Sequence, residues 1–110
     1  MVKITCIECR RGRIHIEIEG NLDMETVPDA RRRLLHLIRT QDPNSVEIDF
    51  SRVDSMDTSA VAMMVELLRA LSRKRLKLDL TGMRDEHRRL FTLARLNQAF
   101  GLNHRDAERG

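Results

Sequence analysis

One stretch decides the fold: Val46-Glu47-Ile48-Asp49-Phe50-Ser51-Arg52-Val53-Asp54-Ser55-Met56-Asp57-Thr58-Ser59-Ala60. Its first five residues alternate between apolar and acidic side chains, and this alternation predicts a half-buried strand. Residues 50–60 are predicted to form the loop that leads from this strand into a helix over residues 59–73. Apolar side chains wrap nearly the whole circumference of that helix, so we expect it to be the most buried one.

The flanking segments supply further strands and helices. Three other segments are predicted strands: residues 3–9, 13–19 and 76–80. Two other segments show helical spacing of apolar residues: residues 26–39 and about 84–96. Thr26 is the expected cap of the first helix, with Pro28 in its first turn. The order strand, strand, helix, strand, helix, strand, helix indicates a single two-layer α/β domain.

The apolar residues of these elements define the expected core. On the strands and the central helix, ten side chains are expected to face inward: Ile14, Ile16, Ile18, Ile48, Phe50, Val61, Val65, Leu68, Leu78 and Leu80. On the last helix we expect Leu90, Leu93 and Ala94 to face inward. The sheet should therefore have one apolar face and one largely wet face.

Composition excludes several classes of protein. The chain has 110 residues, of which 41% are hydrophobic and 34% are charged, so one salt-rich globular domain is expected. The net charge is only +3 and the three aromatic residues are all Phe, which disfavours a dedicated nucleic-acid binder. No apolar run reaches the roughly 18 residues of a membrane span. A soluble cytoplasmic protein without direct membrane insertion is expected.

Two cysteines, Cys6 and Cys9, have the spacing of a redox pair or of half a metal site. Residues three apart on a regular strand point to opposite faces, and no second Cys or His pair follows at ligand spacing. We therefore expect ordinary reduced cysteines, no metal and no cofactor. The four histidines are scattered and interpreted as surface residues, and the five glycines form no phosphate loop, so no enzyme activity is predicted.

The predicted loop before the buried helix carries the most chemical information. Asp57, Thr58 and Ser59 are all capable helix caps, and capping alone is the simpler reading. Over residues 42–57, five acids stand against one arginine, which predicts an acidic patch at this end of the molecule. A phosphate on an exposed hydroxyl here would meet the free amides of the helix and add about −1.5 to −2 charge. The segment is thus a candidate electrostatic switch.

Two separated motifs resemble the signatures of STAS domains. Residues 20–26, Gly-Asn-Leu-Asp-Met-Glu-Thr, resemble the Gly-x-Leu-Asp-x-x-Thr signature, and residues 46–60 are similar to the second, which ends in Asp-Ser-Ser-Gly. The closing residues 96–100, Leu-Asn-Gln-Ala-Phe, also agree. The resemblance implies one STAS domain over residues 1–104 and a frayed tail over 105–110. It also implies a mixed four- to five-stranded sheet with helices mainly on one face.

The antagonist branch of this family implies a set of site residues. The family's phosphorylated serine falls on Ser59, with Thr58 as a secondary candidate. The implied partner-binding residues are Asp23, Asp57, Thr58, Ser59 and Ala60. Ala60 replaces the usual Gly, which could alter how closely a kinase approaches, and Ser55 stands where an apolar residue is common.

The resemblance implies an anti-sigma-factor antagonist that acts by partner switching. The unphosphorylated protein binds an anti-sigma factor that is also a serine kinase, phosphorylation ends the binding, and a serine phosphatase restores it. The alternative is a structural STAS subunit of a bacterial lipid-transport ABC complex, without a phosphate cycle. A neighbouring gene for a serine kinase or for an ABC ATPase would separate the two.

Overall fold

The computed structural model describes residues 1–96. Seven elements follow one another in the predicted order: β1 (Val2–Arg10), β2 (Arg13–Leu22), α1 (Val27–Gln41), β3 (Ser45–Met56), α2 (Thr58–Arg73), β4 (Lys77–Thr81) and α3 (Asp85–Leu93). The closing motif beyond Leu96, His104 and the boundary between domain and tail lie outside the described residues.

The four strands form one mixed sheet in the order β1-β2-β3-β4. β1 pairs antiparallel with β2, whereas β2 with β3 and β3 with β4 are parallel. Helices α1 and α2 make the two parallel crossovers and pack against each other. Crossovers of the usual right-handed kind between neighbouring strands bring both helices to one face of the sheet. The predicted α/β architecture is therefore confirmed.

The core lies between the helices and the apolar face of the sheet. Ile16, Ile18 and Ile48 are completely buried there, as expected. Four residues expected to face inward are only half-buried: Val65, Leu68, Leu78 and Leu90. On α2 the buried residues instead include Met64, Leu67 and Leu71. Apolar residues occur all round this helix, so their spacing does not indicate which side faces the core.

Helix α3 is rotated relative to the expected orientation. Its buried residues are His87 and Phe91, whereas Leu93 is 81% exposed and Ala94 is exposed. The expectation that Leu93 and Ala94 face inward is wrong, and so is the assignment of His87 to the surface. His87 and Phe91 are four residues apart and share one helix face, but a histidine is not counted when apolar periodicity is read.

Strand β3 is longer than the alternation at 46–50 predicts, since it continues to Met56. The expected loop over residues 50–60 is therefore wrong, and Asp57 alone separates β3 from α2. The pairing of β3 with β2 is irregular between Glu17 and Glu19 and again after Gly20. Bulges of this kind break the period-two pattern, and Val53 is buried out of phase with Phe50.

Gly20 is required by a close backbone approach. Its φ angle is +106°, and a Cβ atom at this position would lie 2.2 Å from the carbonyl oxygen of Met1. The glycine of the first signature motif thus lets the beginning of β1 pass against the end of β2, just before the loop that leads to α1.

A bulge in β1 overturns the argument made for the cysteines. Cys6 is opposite Ile16 and Cys9 is opposite Ile14, while the register shifts between Cys6 and Glu8. Ile14 and Ile16 both face the core, so Cys6 and Cys9 point to the same side of β1. The extra residue, Ile7, changes the alternation by one step.

Candidate functional site

Asp57 holds the N-terminus of α2 in place. Its backbone is extended, and its carboxylate Oδ1 accepts a hydrogen bond from the backbone N–H of Ser59 at 2.9 Å, which is an N-cap. Its own N–H donates to the carbonyl oxygen of Leu22 at 3.1 Å. The residue is therefore fixed both to the helix that follows it and to the end of strand β2.

The same carboxylate reaches the first signature motif. Oδ2 of Asp57 accepts a hydrogen bond from the backbone N–H of Met24 at 3.2 Å. We call the region where the two motifs meet, residues 21–26 and 56–60, the Asp57 junction. One aspartate thus connects the loop before α1 with the start of α2.

The hydroxyl of Ser59 donates a short hydrogen bond to Oδ1 of Asp57. Ser59 is half-buried, whereas Thr58 is exposed. The Ser59 hydroxyl is the main cause that lowers the pKa of Asp57; the backbone N–H groups of Ser59, Met24 and Ala60 lower it further, and burial opposes them. Asp57 is therefore a carboxylate at neutral pH, and Ser59 is its principal hydrogen-bonding partner.

Asp23 shapes the loop that carries Met24. Its Oδ1 accepts hydrogen bonds from the N–H groups of Glu25 and Thr26, at 2.9 and 3.1 Å. The hydroxyl of Thr26 accepts from the Asp23 N–H at 3.0 Å and donates to the carbonyl oxygen of Asn21 at 2.7 Å. Thr26 occupies the cap position of α1, but its side chain makes no capping bond there. Both side chains close a tight turn instead.

Met24 is presented at the tip of that turn and is 76% exposed. Sequence reasoning missed it, because the motif pointed to its acidic and hydroxyl residues. The signal was an apolar residue between Asp23 and Glu25, in a segment without strand or helix periodicity. A second link that was missed joins the Ser55 hydroxyl to the Asn21 side-chain oxygen at 2.9 Å, and it accounts for the polar residue at position 55.

Ala60 does not lie on the surface of the junction. It is completely buried, so its methyl group faces the core. The side chain of Ala60 is therefore not exposed to an approaching protein, and any part it has in partner binding stays a prediction. Of the expected partner-binding residues, Asp23, Asp57 and Ser59 are half-buried and Thr58 is exposed.

The acidic patch is composed differently from the one expected. Asp42 and Glu47 lie near the beginning of β3, which pairs with the first residues of β2, whereas Asp57 follows the end of β3. A strand rises about 3.3 Å per residue, so these acids belong to opposite ends of the molecule. Beside the junction, a shallow depression is lined by four acids and two cations: Glu19, Glu25, Asp29, Asp54, Lys3 and Arg33.

Two other observations bear on the kind of site. Within residues 1–96, no three His, Cys, Asp or Glu side chains converge in a way that could hold a metal ion. No helix in that part of the chain is both long and apolar enough to cross a membrane. What the junction offers is a hydroxyl, a carboxylate and an exposed methionine on a hydrogen-bonded frame.

The family model described as "Mlab, STAS domain" matches residues 8–103. The chain belongs to the STAS domain family. The resemblance drawn from the two motifs is therefore confirmed, and the Asp57 junction is the place where the two signatures of this STAS domain meet in space.

Known proteins similar to this STAS domain include antagonists. The anti-sigma-B factor antagonist of Staphylococcus epidermidis is 26% identical over 88 residues, which cover 80% of this chain and 81% of that protein. An anti-sigma factor antagonist from Mycobacterium paratuberculosis matches with a TM-score of 0.74 at 19% identity, covering 91% of this chain and 83% of that one. The Bacillus cell fate determinant SpoIIAA in its phosphorylated form matches with a TM-score of 0.67 at 20% identity, covering 89% and 86%. The two structures share the fold of this domain.

Proposed function

We propose that this STAS domain is an anti-sigma-factor antagonist that works by partner switching. In its unphosphorylated form it binds an anti-sigma factor that is also a serine kinase, and phosphorylation of Ser59 releases it. Two findings support the proposal: the similarity to a staphylococcal anti-sigma-B factor antagonist, and the shared fold with SpoIIAA, which has been solved in a phosphorylated form. The domain acts through binding and catalyses no reaction itself.

The observation that carries the proposal is the hydrogen bond from the Ser59 hydroxyl to Asp57. Phosphorylation replaces the hydroxyl hydrogen, so this donor is lost. The phosphate also places about −1.5 to −2 charge beside a carboxylate that is ionised at neutral pH. Repulsion, together with competition for the same helix amides, displaces Asp57 from the start of α2.

Displacement of Asp57 changes the neighbouring loop. The Met24 N–H loses its acceptor, because that acceptor is the second oxygen of the same carboxylate. Met24 is the exposed apolar side chain of the junction and supplies contact area for a partner. A phosphate on Ser59 thus changes the contact surface in two ways. It adds negative charge, and it removes the hydrogen bond that orders the Met24 loop. Both changes weaken binding.

The remaining junction residues have distinct roles in this proposal. Thr58 is exposed beside Ser59, so it contacts the partner directly and is the secondary phosphate acceptor. Asp23 acts mainly as a positioning residue, because its carboxylate accepts two backbone hydrogen bonds within the Met24 turn. A serine phosphatase, which removes the phosphate, returns the junction to its binding form.

The proposal is tested with the purified chain, the anti-sigma kinase encoded nearest to its gene, and ATP. Trypsin releases residues 53–69, which contain Ser55, Thr58 and Ser59. Fragmentation of this peptide locates the phosphate, and we expect it on Ser59. Ser59→Ala should bind the kinase but accept no phosphate at that position, whereas Ser59→Asp should bind at least about tenfold more weakly, a change of about 1.4 kcal/mol.

Two variants serve as controls. Thr58→Ala removes the adjacent exposed hydroxyl and should leave phosphorylation of Ser59 in place. Ser55→Ala removes the third hydroxyl of the peptide, which donates to Asn21 and not to Asp57. If no hydroxyl of the peptide accepts phosphate and Ser59→Ala and Ser59→Asp bind equally well, partner switching is wrong. Constitutive binding in a lipid-transport ABC complex is then the better account.

A further inference from the structure

The bulge in β1 brings two thiols to one face of an edge strand. With Ile7 as the extra residue, Cys6 and Cys9 are opposite Ile16 and Ile14, two neighbouring positions on the same face of β2. In a regular strand the cysteines would face opposite sides. The bulged register therefore places on one face two cysteines that a regular strand would place on opposite faces.

Side-chain contacts support this orientation independently. Cys9 Sγ lies 2.7 Å from Oε1 of Gln41, at the end of α1, and donates a hydrogen bond to it. Cys6 lies in a depression between β1 and α1 that is also lined by Arg32, His36 and Leu37 of that helix. Both thiols thus face α1, and neither lies on the opposite, polar face of the sheet.

Joining the sulfurs requires the bulge in β1 to tighten. The facing residues Ile14 and Ile16 are two positions apart on β2, which corresponds to about 6.6 Å between Cα atoms. That is near the upper end of the 4.4–6.8 Å found in disulfides, whose Cβ atoms lie about 3.5–4.5 Å apart. Burial and the neighbouring Cys9 both raise the pKa of Cys6, which agrees with their proximity. Ile7 has no partner across the sheet, so the bulge can tighten without loss of a paired position. The cysteines differ in access, since Cys9 is exposed and Cys6 is half-buried.

We propose that Cys6 and Cys9 are a redox-sensitive modification site that forms a reversible disulfide by exchange with a small-molecule disulfide such as oxidised glutathione. The exposed Cys9 thiolate attacks the reagent, forms a mixed disulfide and releases one glutathione thiolate. The Cys6 thiolate then attacks the Cys9 sulfur and releases the second glutathione. The protein loses two hydrogens and two electrons, and the reagent becomes two thiols. This site is separate from Ser59 and does not depend on partner switching.

The first experiment equilibrates the full chain in reduced and oxidised glutathione, quenches it with acid and alkylates the free thiols. Intact mass should show the loss of two hydrogens and no alkylated cysteine at high oxidised glutathione. In Cys6→Ser the reaction should stop with one glutathionyl group on Cys9. Persistence of two alkylatable thiols in the unsubstituted protein, or accumulation of glutathione adducts without ring closure, would overturn the proposal.

A swapped variant tests the bulge itself. Glu8 is opposite His15, so it faces the polar side of the sheet, away from Cys6. The double variant Glu8→Cys, Cys9→Ser moves the second thiol nearer in sequence but to the wrong face. Its disulfide equilibrium constant should be at least about tenfold lower than that of the Cys6, Cys9 pair. A regular strand predicts the reverse order, which would contradict the proposal.

The fold of each reduced variant is checked by circular dichroism and thermal unfolding. A second measurement keeps the test decisive if the swapped variant unfolds. The disulfide constant of the unsubstituted chain is determined both in buffer and in urea. Because the folded register is what brings the thiols together, the constant should be larger in buffer. Equal constants in the two conditions would refute a site built by the fold.

Discussion

Asp57 and Met24 are 33 positions apart in the chain, yet the carboxylate of one accepts a hydrogen bond from the backbone of the other at 3.2 Å. The two oxygens of Asp57 have different tasks: Oδ1 caps α2 through Ser59, and Oδ2 holds the Met24 loop. The junction is therefore a single hydrogen-bonded unit. Its two ends are connected through one side chain.

Asp57→Ala should remove both tasks together. Loss of an N-cap costs about 0.5–2 kcal/mol of folding free energy, and the Met24 amide loses its acceptor. Urea unfolding measures the first effect and hydrogen exchange of the Met24 amide measures the second. Asp54→Ala, which removes a nearby exposed acid of β3, should change stability by less than about 0.5 kcal/mol.

Asp57→Asn separates the two tasks. Asparagine is an equally good cap, so its side-chain oxygen can still accept from the Ser59 N–H. Its amide nitrogen cannot accept from Met24, since it has only donor hydrogens. We expect near-normal stability with faster exchange of the Met24 amide. Unchanged exchange in this variant would mean that Asp57 does not hold the loop.

The acid stability of the domain should depend on Ser59. The pKa of Asp57 is lowered in the folded state, first of all by the Ser59 hydroxyl. The stabilisation is therefore complete above the ordinary aspartate pKa of about 3.9 and is lost as pH falls through the lower folded value. In Ser59→Ala the Asp57 pKa, followed by NMR of its carboxyl carbon, should rise towards 3.9. An unchanged pKa would contradict the assigned cause.

The two motifs carried the resemblance to the family. Local patterns predicted the strands at Ile14 to Ile18 and Val46 to Phe50 from their alternation and the helices from their apolar spacing, and hence the order of elements and the two-layer fold. They failed where one residue changes the period. Ile7 shifts the register of β1, and the irregular pairing after Glu17 keeps β3 extended to Met56. A bulge is set by pairing with another strand, so no local pattern reveals it.

The candidate site was predicted in residue type but not in arrangement. The motifs named Asp23, Asp57 and Ser59, yet no spacing shows that Asp57 bonds to Met24 or that Ala60 faces the core. Both facts depend on how two loops 33 residues apart meet after folding. Local sequence identifies residues that can cap a helix. Tertiary contacts decide which carboxylate oxygen of Asp57 accepts from which backbone N–H group.

Adjacent leucines on α2 test the direction of its buried face. Leu67 is 3% exposed, whereas Leu68, expected from the sequence to be inward, is half-buried. Leu67→Ala should cost about 2–5 kcal/mol of unfolding free energy through the cavity that it leaves. Leu68→Ala should cost clearly less, because its site already opens to water. Denaturant unfolding of both variants decides, and a larger cost at position 68 would restore the original orientation.

His87 should make the domain less stable in mild acid. The residue is 3% exposed, and neither ring nitrogen has a hydrogen-bond partner among residues 1–96. Burial lowers its pKa; Glu86 opposes this shift and Arg84 adds to it. The unfolded chain therefore binds a proton more readily. Stability is complete above the unfolded pKa of about 6.5 and falls as pH drops towards the lower folded value.

The variant His87→Leu removes both the titration and two ring nitrogens that make no hydrogen bond within residues 1–96, although Nε2 lies 3.9 Å from Oε2 of Glu86. At pH 7.5 it should be at least as stable as the unsubstituted protein, because an unsatisfied buried polar group is replaced by an apolar one. Its advantage should grow below pH 6.5, by at most about 1.4 kcal/mol per pH unit. His36→Gln, at an exposed position of α1, should keep the pH dependence of the unsubstituted protein. Parallel stability curves for His87→Leu and the unsubstituted protein between pH 7.5 and 5 would show that burial of His87 does not govern the acid response.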